Sequence, residues 1–120
     1  MNPHDLVRQI DAQLAHVWMV RTFLKHSDEA QEDDELREVH RELYDYMLAL
    51  GPSLASDDAD AYLKLAHKKF ARLKAAAETF ARIGPEVSQH MNFQMAVRSL
   101  AQAVGEIERL LGHTREERRS

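Results

Sequence analysis

Apolar residues recur at alternating steps of three and four through the second half of the chain. Leu63, Ala66, Phe70, Leu73, Ala77 and Phe80 form one series. Phe93, Val97, Leu100, Val104, Ile107 and Leu111 form a second. This rhythm lays a continuous apolar seam on each of two helices, and each seam needs a partner to bury it. The first half carries the same signal. Leu6, Ile10, Leu14, Val17, Val20 or Arg21, and Leu24 share one stripe, and Leu36, Val39, His40, Leu43, Tyr46, Met47 and Leu50 share another.

Start and stop residues set the bounds. The pattern predicts helices over 3–25, 30–50, 57–83 and 86–111 in a single domain spanning 1–112. Asn2 can cap the first helix, Pro3 suits its first position, and Asp5 complements the positive end of its dipole. The acidic segment Ser27–Asp34 should contain the first turn, and Asp28 with Gln31 resembles a capping box that starts the second helix early. Gly51-Pro52 is read as the end of that helix, because glycine tolerates a left-handed cap and proline cannot continue the hydrogen bonding. Ser56 or Asp57 then caps the third. Gly84-Pro85 is read as the third break; one helix kinked at this pair is the alternative. Gly112 is the expected cap of the fourth, and 113–120 a charged, frayed tail. Short connections make successive helices neighbours, so the expected fold is all-α, an antiparallel up-down-up-down four-helix bundle.

A chain of 120 residues with 44% hydrophobic and 30% charged residues is long enough to bury a core without staples. The absence of cysteine removes disulfides and thiolate chemistry. A net charge of -4 argues against a nucleic-acid partner. No apolar run approaches the roughly 18 residues of a membrane span, and no signal peptide is read at the amino terminus. The expectation is a soluble, cytoplasmic protein without nucleic-acid or membrane partners.

The basic run Lys64, Lys68, Lys69, Arg72 and Lys74 is read as a solvated face that complements Glu32-Asp33-Asp34-Glu35 on the second helix. Aromatic residues do not interleave with it, which further weakens a nucleic-acid role.

Four of the seven histidines fall one per helix: His16, His40, His67 and His90. His40 and His90 are in phase with apolar stripes. Inward histidines and carboxylates build metal centres in helical bundles. A metal site from His16, His40, Glu42 and His67, holding iron or zinc, is therefore the alternative functional reading. Against it, no Glu-x-x-His spacing occurs, and His90 should lie about 10–15 Å from the level of His40 and His67. The simpler expectation is half-buried histidines hydrogen-bonded to neighbours, with no cofactor.

Trp18 and Arg21 share a face of the first helix, and Arg21 borders the apolar stripe. A buried arginine needs a carboxylate, which Glu38, Glu42 or Asp45 could supply. Trp18, Arg21 and Tyr44 (or Tyr46) make a candidate ligand or anion site; a structural ion pair covered by the indole is the plainer account. Met91 and Met95 can fill core or line an interface. Gly-x-Ser-x-Gly elbows and phosphate loops are missing, with only four scattered glycines. The sequence thus points to a non-enzymatic binding or protein-interaction module whose partner is another protein or itself. Exposure of Tyr62 and Leu65 beside the seam would favour a homodimer.

Overall fold

A computed structural model describes residues 1–119, with side chains described through 113. Five helices account for nearly all of it: α1 (Pro3–His26), α2 (Asp28–Gln31), α3 (Asp34–Ala55), α4 (Ala59–Val87) and α5 (Met91–Arg119). No strand occurs among the described residues. At 1.5 Å per residue, a helix of 29 residues spans about 44 Å, which matches the 45 Å long axis of the molecule. The two longest helices therefore run the length of the fold. No described helix is long and apolar enough to cross a membrane.

The apolar stripes meet in one core. Leu6, Ile10, Leu14, Val17, Val20 and Leu24 of α1 are all buried, as are Leu36, Val39, Leu43, Tyr46 and Leu50 of α3. Of the two heptad seams, only Phe70 and Val97 are half-buried and the rest are inside. Phe93 sets its ring edge-on to Phe23 at 5.1 Å and to Phe80 at 6.3 Å, tying α5 to α1 and α4. The Tyr46 hydroxyl donates to the Ala66 carbonyl at 3.0 Å, so α3 and α4 are bonded through the core. Tyr62 is fully buried and Leu65 half-buried, which removes the exposed apolar width that would have argued for a dimer.

Side-chain caps fix the helix starts. Asn2 Oδ1 accepts from the Asp5 amide at 2.9 Å, and Pro3 opens α1 as expected. The acidic segment after α1 holds two turns instead of one. Ser27 Oγ accepts from the Ala30 amide at 3.3 Å and starts the single-turn α2; Asp33 Oδ1 accepts from the Leu36 amide at 2.9 Å and starts α3. Gln31 Nε2 donates back to the Leu24 carbonyl at 2.9 Å, satisfying an acceptor at the end of α1.

Neither Gly-Pro pair breaks a helix. α3 runs through Gly51-Pro52 to Ala55, and α4 runs through Gly84-Pro85 to Val87. Each proline sits near a helix end, where it removes one hydrogen bond, to Leu48 or Ala81, both exposed residues whose carbonyls water can reach. The preceding glycine lacks the Cβ that would collide with the proline ring in helical geometry. The chain turns a few residues later in each case. Asp57 adopts a positive φ of 56° and Asp58, not Ser56 or Asp57, caps α4 through the Ala61 amide at 3.0 Å. Ser88 is extended, and His90 Nδ1 accepts from the Asn92 amide at 3.0 Å at the start of α5. His90 is thus an exposed cap, not an inward residue. At the other end α5 passes through Gly112 without stopping.

Gly84 is buried for a reason separate from the turn. A Cβ there would lie 3.1 Å from Phe80 of its own helix and from Val97 of α5. The bare backbone lets the two helices approach.

Candidate functional site

The flank between α1 and α3 holds the most unusual chemistry of the molecule. Helical spacing puts Trp18, Arg21 and Lys25 on one line of α1, and His40 and Tyr44 on one line of α3. The two lines face each other. Arg21 is only 7% exposed. Its Cζ lies 3.9 Å from the centroid of Trp18 and 5.4 Å from that of Tyr44, so both rings contribute cation–π attraction. Its Nη1 lies 3.4 Å from His40 Nε2, and its Nε is buried with no hydrogen-bond partner.

That contact dictates the state of His40. A guanidinium can only donate, so Nε2 must present a lone pair and the ring proton must sit on Nδ1. Burial, then the charges of Arg21, Lys25 and Arg41, hold the His40 pKa below its ordinary 6.5 and keep the ring neutral at pH 7.

The expected carboxylate partner of Arg21 is not there. No ion pair to Arg21 occurs among the described residues. Glu42 and Asp45 line the groove between α3 and α4 with Lys69 and Arg72. Glu38 lines the same side and pairs with Arg41 at 3.1 Å. These acids sit one helical face away from Arg21. A guanidinium nine-tenths buried is therefore held by two rings and a neutral imidazole, with no counter-charge among the described residues and its Nε buried without a partner. Burying a charge that way is costly. Trp18 and Tyr44 are 42% and 41% exposed, so they cover the guanidinium while their outer faces meet solvent.

Trp18, Arg21 and Tyr44 are thus brought together. His16, His40, Glu42 and His67 are not. His16 is exposed on α1, and His67 lines the α4–α5 groove with Lys74 and Glu108. No group of three or more His, Asp or Glu side chains is placed to hold a metal ion among the described residues. Lys74 of the basic run on α4 also has a different partner from the expected one. Lys74 bridges to Glu108 of α5 at 2.8 Å, while Glu35 is taken by Arg82 at 3.2 Å.

The part of the site that sequence reasoning missed is His40 as the neighbour of Arg21. A signal was present. Both residues lie about two helical turns from the α1–α3 connection, and both are in phase with the stripes of consecutive helices.

Comparison with family models, with curated proteins and with solved structures finds no match.

Proposed function

We propose that this chain is a non-enzymatic protein-interaction module that docks an acidic segment of a partner protein on the α1–α3 flank, with Arg21 as the anchor. One observation carries the reading: a guanidinium nine-tenths buried with no carboxylate paired to it among the described residues, covered by two aromatic rings that are themselves open to solvent. Tryptophan, tyrosine and arginine are the residues that dominate binding energy at protein interfaces. Lys25 adds positive charge beside the anchor, so the complementary partner is acidic. A carboxylate that reaches the guanidinium edge can take two parallel hydrogen bonds there and supply the missing counter-charge.

The frame for this surface is an antiparallel up-down-up-down arrangement of the four long helices. Cross-helix pairs support it: Phe23 with Phe93, Arg21 with His40 and Glu35 with Arg82 link ends that opposite directions bring together.

Trp18 is the sole tryptophan, so its fluorescence reads the site directly. Titration with a glutamate–glycine peptide should give a saturable change. A glutamine–glycine peptide should give none, and Arg21→Met should abolish the response. A wild-type protein that shows no saturable change, or an Arg21→Met protein that responds like wild type, refutes the reading.

A further inference from the structure

The anchor has one neighbour able to change charge in the physiological range. We propose that His40 is the second anion-binding group of this site, and that the partner's carboxylate is captured together with one proton from solvent, carried on His40 Nε2. The inference rests on the reading of the Arg21 flank as a site for an acidic group.

Without an anion, the imidazole must stay neutral. Its Nε2 lone pair receives Arg21 Nη1 at 3.4 Å, a long contact, and a proton there would set two cations face to face. The charges acting most strongly on His40 are positive on both helices: Arg21 and Lys25 from α1, and Arg41 from α3 itself. Glu38, three residues before Arg41, is held by it in an ion pair.

A carboxylate arriving at the guanidinium edge inverts this balance. Its negative charge lies beside both Nη1 and Nε2, which are already neighbours. Protonation of Nε2 turns an acceptor into a donor, and Nη1 swings from the ring nitrogen to the incoming oxygen. The ligand then accepts from an arginine and an imidazolium. One solvent proton is taken up per carboxylate, and no covalent bond changes other than the new N–H. Binding and protonation are therefore linked: each favours the other by the same factor.

The sign follows. Affinity for an acidic peptide rises as pH falls through the range in which free His40 is neutral and bound His40 is charged. A linkage of one proton allows at most about tenfold per pH unit. The peptide's own glutamates, with ordinary values near 4.3, stay largely ionised above about pH 5.5.

The test is the Trp18 titration with the glutamate–glycine peptide at about pH 5.5 and about pH 7.5, a span that brackets histidine titration, on wild type and His40→Gln. Wild type should bind several-fold or more tightly at the lower pH. His40→Gln should hold the weaker affinity at both. Calorimetry in buffers of differing ionisation enthalpy should show net proton uptake by wild type; this readout needs no variant. Equal wild-type affinity at both pH values without proton uptake overturns the coupling and leaves the interaction reading standing. So does a His40→Gln protein that tracks wild type. No binding at either pH overturns the interaction reading itself, and the coupling with it.

Discussion

The same dipeptide occurs near the ends of α3 and α4, and this makes a sharp test of what holds α4 against α5. Valine at position 84 puts a Cβ 3.1 Å from Phe80 and Val97, and two methyl groups beyond it. Phe80 is fully buried and braced against Phe93, so it has little room to yield. Overpacking of this kind costs about 1–3 kcal/mol. Leaving glycine returns about 0.4 kcal/mol of helix propensity, and a branched residue before proline loses some of that again. At position 51 the backbone terms are shared, because Gly51 is also helical and also precedes proline, but nothing lies within 4 Å of its Cβ. The difference between Gly84→Val and Gly51→Val therefore isolates tertiary packing at about 2 kcal/mol. Unfolding entropy of about 2.1 cal/mol/K per residue converts 1 kcal/mol to about 4 °C for a chain of 120 residues. Calorimetry should place the Tm of Gly84→Val about 8 °C below that of Gly51→Val. Two variants that melt together would show that Gly84 is not needed for the approach of α5.

Four further outcomes are expected. Tyr46→Phe should lose about 1 kcal/mol in urea unfolding because its hydroxyl bonds to Ala66, whereas Tyr62→Phe, whose hydroxyl is buried without a partner, should be neutral or more stable; equal losses would contradict the hydrogen-bond assignment. Arg21→Met should leave Tm unchanged or raise it, since an apolar side chain of similar length replaces a buried charge lacking a counter-ion; a fall beyond about 2 kcal/mol would mean the ring contacts outweigh desolvation. Asp58→Ala should lower stability by about 1 kcal/mol through loss of the α4 cap, and rescue by Asp58→Asn would separate capping from charge. His40 has a lower proton affinity folded than unfolded, so its contribution to stability is full above the unfolded value of 6.5 and lost as pH falls through and below it. The stability of wild type relative to His40→Gln should therefore rise with pH between about 5 and 7, and a flat difference would refute the assigned environment.

The core was legible because burial follows period. Leu6 to Leu24, Leu36 to Leu50 and both heptad seams point inward where the 3.6-residue repeat places them, with only His40, Met47, Phe70 and Val97 left half-buried. The ends are less legible because glycine and proline are stop signals only in context. Their effect depends on whether the freed carbonyl meets water and whether a neighbouring helix needs the missing Cβ, and both are tertiary facts. Spacing puts Trp18 and Arg21 on one face but leaves Tyr44 and Tyr46 as equal neighbours; in the structure Tyr44 lies against Arg21 and Tyr46 is in the core. The absent counter-ion was not legible, because Glu38, Glu42 and Asp45 differ from Tyr44 by a rotation about the α3 axis that a list of nearby acids does not weigh. His90 looked inward by phase, yet it lies just outside the helix, where phase has no meaning.

The position of the one indole also governs how unfolding of this protein will look. Trp18 reports the α1–α3 flank and not the interior, whose aromatic members are Phe80, Phe93, Tyr46 and Tyr62. Fluorescence and far-ultraviolet circular dichroism therefore follow different parts of the fold. If the flank opens before the core, as sites held by few buried contacts do, the two transitions will separate. A midpoint taken from tryptophan emission alone would then describe the loosening of α1 from α3 and not the loss of the protein.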